Sequence, residues 1–224
     1  MKPNGYVLYE DPRRIVVATL SSDNVKTGDM IQTWILNRAE DPVRSVKTGA
    51  DETVCGDCPL RGDGTGAGRG CYVNVGQAPL AVWRSYHAGK YPLWRGEQFA
   101  KGRKVRWGAY GDPTHIPATI VRGINRQSDG WTGYTHQWRN PALQGYKDAL
   151  MASCETVEDA RKARAAGWRT FRLGTPEEGE IECPSARGVQ CKDCTLCRGA
   201  STTAKSITIP PHGTGRKYAA ELVA

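Results

Sequence analysis

The chain has no uninterrupted apolar run approaching the roughly 18 residues that a membrane-crossing helix needs, so no helical membrane span is expected. It has only 2 phenylalanines and 3 methionines among 224 residues, so its core must be built from aliphatic side chains and from its 7 tryptophans. Histidine is scarce, which restricts imidazole chemistry to His87, His115, His136 and His212. No solenoid-type repeat and no low-complexity linker are visible. The opening M-K-P-N-G-Y-V-L-Y-E-D-P lacks the apolar segment of a secretion signal. A reducing, cytoplasmic setting is therefore expected, in which closely spaced cysteines read as metal ligands and not as disulfides.

Cysteine is what the chain does have, and seven of its 8 cysteines fall into two compact groups. The first is Cys55, Cys58 and Cys71, spaced C-x2-C-x12-C. The second is Cys183, Cys191, Cys194 and Cys197, a Cys-Pro followed by C-x2-C-x2-C. A two-residue gap lets one turn aim two thiolates at a single ion or cluster. Three thiolates from one run with a fourth further off match the wrapping of a 4Fe-4S cubane; structural zinc, more often held by paired C-x2-C knuckles, is the alternative. Four thiolates leave no open coordination position, so the second group reads as structural or as an electron carrier. The first group, with three, requires a fourth ligand (Cys154, His87, His115 or His136, with Asp57 also in reach) or leaves an open metal position. Residues 61–70 hold five glycines, and metal at the ends of that loop would offset the entropy of ordering it.

The secondary-structure pattern is α/β. Ile15 to Leu20 and Met30 to Leu36 read as strands separated by the turn D-N-V-K-T-G-D. Pro79 to Ala88 reads as a helix closed by Gly89. Strands are then expected from about residues 104, 131, 149 and 168, with short helical pieces at Pro117 to Asn125, at Leu143 to Lys147 and after the cap Thr156. Ser206 to Ile209 reads as one more strand. This alternation predicts an incomplete (βα) barrel of about 4–6 parallel strands carrying the cysteine-rich loops, because a full eightfold barrel takes about 250 residues. A single domain over residues 1–212 is expected, with metal loops at 55–71 and 183–197 and a surface tail at 213–224. Functional groups in such sheets lie at the C-terminal strand ends. Those ends supply Tyr110, Asp112, His115, Tyr134, His136, Arg139, Cys154 and Arg172, of which Tyr110, Asp112, His136 and Arg139 form the candidate catalytic set. Cys154 reads as a packed thiol, with a nucleophile paired to His136 as the less common meaning.

The net charge of +8 fits plain solubility and equally fits a nucleic-acid partner. Trp131, Trp138 and Arg139 are the residues that would form an exposed aromatic and basic face for stacked bases.

Two resemblances attach to these motifs. Cys55, Cys58 and Cys71, followed by Gly111, Asp112 and Pro113, resemble the order of elements in radical S-adenosylmethionine enzymes, although their cysteine spacing is C-x3-C-x2-C. The likeness implies an open cluster at the first group and an S-adenosylmethionine site at Gly111, Asp112 and Pro113. The wider set of C-x2-C-P, C-Y-V-N, G-A-Y-G-D-P, G-Y-T-H-Q-W, G-W-R-T-F-R and C-P…C-x2-C-x2-C, spanning residues 5 to 212, resembles an uncharacterised family of cysteine-rich phage and mobile-element proteins. That resemblance implies a metal-binding protein in a host cytoplasm, with nucleic acid or a host protein as partner. Three functions follow as expectations: an iron–sulfur or zinc protein working with nucleic acid, a radical enzyme, or a structural zinc protein serving as an interaction module.

Overall fold

The structure is a computed structural model that describes residues 3–22 and 24–223; Met1, Lys2, Asp23 and Ala224, which fall within the expected domain and tail, lie outside the described residues. In chain order its strands are β1 (Gly5–Glu10), β2 (Arg14–Thr19), β3 (Ile31–Asn37), β4 (Lys104–Tyr110), β5 (Gly130–Thr132), β6 (Tyr134–Thr135), β7 (Met151–Cys154), β8 (Thr170–Leu173), β9 (Glu180–Glu182) and β10 (Ser206–Ile209). Its helices are α1 (Pro42–Thr48), α2 (Glu52–Cys55), α3 (Ala78–His87), α4 (Ala118–Asn125), α5 (Val157–Ala165), α6 (Cys191–Cys194) and α7 (Arg216–Glu221).

The strands form two five-stranded sheets, ordered β1-β2-β3-β4-β5 and β6-β7-β8-β10-β9. In the first, β1, β2 and β3 are antiparallel, and β3, β4 and β5 are parallel. The second is parallel throughout. Gly133 sits between β5 and β6, donating to the Cys197 carbonyl and accepting from the Met151 amide, at 2.9 and 3.0 Å. Residues 130–135 thus pair first with β4 and then with β7, and one strand path passes between the sheets.

The expectation of an α/β fold with parallel strands holds in part. The strands form two five-stranded sheets, of which the second is parallel throughout, and the N-terminal part of the first sheet is antiparallel. The hydrophobic pattern of β2 and β3 marks both as fully buried strands but carries no information on direction. Their connection needs no helix, so antiparallel pairing follows. The alternating segments from β4 onward do form parallel βα connections. α5 begins as its sequence dictates: the Thr156 hydroxyl accepts from the Asp159 amide, and Glu158 and Asp159 occupy the first turn.

One core runs through both sheets and includes Ile15, Val17, Ile31, Ile35, Trp107, Leu150, Ala152 and Trp168. A much smaller core of Met151, Cys197 and Ile207 lies beneath the second cysteine group, with Tyr134, Phe171 and Ile181 packed against it. Within the expected surface tail, α7 forms and most residues are exposed, while Ala219 is buried and the backbone of Gly215 and Ala219 is pressed against Gly70 in the first cysteine loop.

Candidate functional site

The first cysteine group follows β3. Cys55 ends α2, and the Asp112 amide donates to the Val54 carbonyl at 2.7 Å, pinning the end of β4 beside it. That approach is close enough to require glycine at 111, where φ is +79° and a Cβ would stand 2.6 Å from Ile35 Cβ. The turn is organised by Arg61, whose Nε and Nη2 donate to Asp51 Oδ1 at 3.1 and 2.7 Å, while Nη2 and Nη1 reach the Gly49 and Gly56 carbonyls. The Cys71 amide donates to the Leu60 carbonyl at 3.0 Å, returning the glycine-rich loop to Cys58 and its neighbours.

Three other strand ends face this turn. His136, just after β6, places Nε2 2.8 Å from Glu155 Oε1, just after β7, and 3.9 Å from Cys58 Sγ. Gln137 Nε2 donates to Asp57 Oδ1 at 2.6 Å. Burial alone would push His136 down, but Cys58 and Glu155 hold it well above the ordinary imidazole value. Burial pushes the Cys55 thiol well up, and Cys58, Cys71 and Asp51 add to the shift by like charge. Burial raises Cys71 as well, against the pull of Arg69. Tyr110, pushed up by burial and by Cys55, has a buried hydroxyl without a partner, and Arg69 Nε beside it is equally unpartnered.

Asp112 is not a free carboxylate. It is 6% exposed, and its oxygens accept from the Thr114 amide and hydroxyl, the Thr135 hydroxyl and the His136 amide. It therefore ties the end of β4 to the end of β6 and sets the backbone of His136. Of the expected fourth ligands, His136 is the one whose ring nitrogen comes within 3.9 Å of a sulfur of the group. His87 packs on Trp83 with ring centres 4.0 Å apart. His115 faces Arg14, Asp112 and Asp11, with burial lowering its pKa. Cys154 is 1% exposed, and burial pushes its thiol far up, so it is packed and unreactive.

The second group caps the inner face of the parallel sheet. Cys183, Cys191, Cys194 and Cys197 line one cavity of about 20 Å³ with Thr132, Tyr134 and Ile207. Arg169 holds the loop from below: Nε donates to the Ala204 carbonyl, Nη1 to those of Leu196 and Gly199, and Nη2 to that of Lys205, at 2.6 to 2.9 Å. Burial pushes the Cys197 thiol up to about 12, against a hydrogen bond from Tyr134 that favours the thiolate. In the side-chain arrangement present, no group of three or more His, Cys, Asp or Glu among the described residues is set to hold a metal ion. The donor set is nonetheless one that metals take: four cysteines line a single cavity, and Cys58 and Cys71 lie near enough to Cys55 to raise its pKa by like charge.

The aromatic and basic face is a further correction. Trp138 is 4% exposed and donates to the Ser153 carbonyl, Trp131 donates to that of Ala149, and Arg139 lies over the Trp138 ring while pairing with Asp159 at 2.6 Å. Arg172 is likewise taken, by Glu180 at 2.6 Å. Glu155 and Gln137 were readable as strand-end polar residues next to Cys154 and His136; Arg61 and Arg169 carried no pattern that sets them apart from surface arginines.

No family model matches the chain, and no curated protein and no solved structure is significantly similar to it.

Proposed function

We propose that the chain is a two-centre metal–thiolate protein, iron–sulfur or zinc, in which Cys183, Cys191, Cys194 and Cys197 hold a closed centre and Cys55, Cys58 and Cys71 hold a second one completed by His136. The observation that carries this reading is the position of His136 Nε2, 3.9 Å from Cys58 Sγ and 2.8 Å from Glu155 Oε1. The same nitrogen faces both groups, so ligation would require Nε2 to give up its proton, and Glu155 stands where it can accept that proton as metal binds. The parallel strands support this reading, because Tyr110, His136 and Glu155 stand at the C-terminal ends of β4, β6 and β7, where parallel sheets present their chemistry. Iron–sulfur centres would supply electrons, and zinc, four-coordinate at both centres, would supply structure.

Anaerobic purification with metal analysis and a visible spectrum tests the reading. Two centres' worth of iron and sulfide, or of zinc, is expected, and His136→Ala should lose the first centre's share only. A protein with no tightly held metal overturns it.

The order of elements supports an alternative in which His136 does not ligate and the first centre keeps an open position, since the cysteine loop follows β3 and Gly111, Asp112 and Pro113 follow β4, as in radical S-adenosylmethionine enzymes. Because the Asp112 carboxylate is saturated by its own fold, recognition of that cofactor would fall to backbone groups at Gly111 and to Tyr110. Cleavage of S-adenosylmethionine by the reduced protein is the test.

A nucleic-acid partner in a phage or mobile-element setting rests on the +8 charge and not on the tryptophans. Retention on DNA that falls steeply with salt is expected for it, and salt-insensitive retention counts against it.

A further inference from the structure

Arg106, in the middle of β4, belongs to neither cysteine group, yet it stands beside both. It pairs with Gln32 of β3 and with Thr132 of β5, and in a parallel ladder paired residues leave the sheet on one face. Thr132 forms part of the wall of the four-cysteine cavity, and its buried hydroxyl has no partner. The Arg106 guanidinium therefore projects next to that cavity. From the other direction, its Nη2 donates to the hydroxyl of Tyr72, the residue after Cys71.

Arg106 is half-buried, and among the described residues it makes no ion pair with a carboxylate. The groups near it that can carry negative charge are Cys191, Cys197, Tyr72 and Tyr134. A guanidinium drawn out of water needs a counter-charge, and a metal bound by four thiolates carries net negative charge. The two requirements meet at one place. Tyr134 reinforces the arrangement, with its ring 4.3 Å from Phe171 and its hydroxyl bonded to Cys197.

We propose that Arg106 is a positioning residue shared by both centres: it balances the charge of the four-thiolate centre and, through Tyr72, holds the end of the first cysteine loop. The inference rests on the reading that both cysteine groups bind metal. Filling the C-terminal centre then fixes Arg106, which in turn fixes Tyr72 and Cys71, so that occupancy of one centre slows release from the other.

The test is a chelator chase on the full chain, with metal release followed by a chromophoric chelator. Cys191→Ser/Cys194→Ser and Cys55→Ser/Cys58→Ser variants assign the two release phases. Arg106→Gln is expected to speed release from the C-terminal centre roughly 10- to 100-fold, the usual range for groups that support metal ligands, and to speed release from the first centre as well. Tyr72→Phe should speed only the first. Arg106→Lys, which keeps the charge but loses the fork, should restore slow release from the C-terminal centre and not from the first. If Arg106→Gln does not fold, the Lys and Phe variants decide the matter by the same two phases. Wild-type rates in Arg106→Gln, or in Arg106→Lys and Tyr72→Phe together, overturn the proposal. A wild-type protein that holds no metal refutes the two-centre reading itself, whereas two slow phases indifferent to these substitutions refute only the role of Arg106.

Discussion

Glu180 shows how tightly single charges are matched around the parallel sheet. Its carboxylate is sealed from water and accepts from Arg172 Nη2 at 2.6 Å and Nε at 3.2 Å, with Arg164 Nη1 at 3.1 Å. Burial pushes its pKa up, but Arg172, the Glu177 amide and Arg164 outweigh that effect and hold it below the ordinary carboxylate value. A carboxyl lowered in the folded state stabilises the protein above its unfolded pKa, and the contribution disappears as pH falls through the folded value. Glu180→Gln leaves two arginines without their anion, so a loss of about 3 kcal/mol at neutral pH is expected. Urea unfolding of wild type and variant checks this, and the gap should narrow as the pH is lowered through the carboxylate range. A gap that stays constant would mean that the pair's charge is not what stabilises the site.

The first cysteine loop shows the same economy at the scale of an element. Between Cys58 and Cys71 the chain reverses on itself, and at Gly62, where φ is +84°, a Cβ would lie 2.2 Å from the Ala67 carbonyl oxygen. Gly62→Ala should therefore cost roughly 1–3 kcal/mol of backbone strain and release metal from the first centre while leaving the C-terminal centre filled. Metal content per chain measures both. What the sequence disclosed about such elements depended on whether the determining contacts were local. β4 and β10 begin and end where their alternating patterns predict, and the Thr156 cap forms as its spacing requires. Asp112 was visible as a strand-end acid, but its role was not, because beside the local Thr114 the groups that tie it to β6, Thr135 and His136, lie more than twenty residues away. Trp138 was read as exposed because it neighbours Arg139 in a polar stretch; its burial comes from Ser153 on another strand. The strand β1 and the helix α1 were missed; α1 spans seven residues, fewer than two turns, which is too short for the helical period to register.

At the scale of the whole molecule, the two faces of the parallel sheet are supported unequally. Its outer face shares the large core, with Leu150, Ala152, Ala160, Ala163 and Trp168 buried together with residues of the first sheet. Its inner face rests on Met151, Cys197 and Ile207, one of which is itself a proposed metal ligand. A patch that small cannot repay the entropy of ordering residues 183–201, whose regular structure is confined to short 3-10 turns and the single helical turn of α6. The loop is otherwise held by hydrogen bonds to its backbone: from Arg169, from Lys104 to the Lys192 carbonyl, from the Gly133 amide to the Cys197 carbonyl, and from the Ala200 amide to the Lys147 carbonyl. Removal of metal should therefore act locally before it acts globally. With chelator present, limited proteolysis is expected to cut within residues 183–205 while β2, β3 and β4 remain intact. Hydrogen exchange should rise at Cys183, Gly133 and Thr208, whose amides or neighbours bond into that region, and stay slow along Ile15 to Ala18. Cleavage that begins instead in the first sheet would show that the C-terminal thiolates are not what holds the inner face closed.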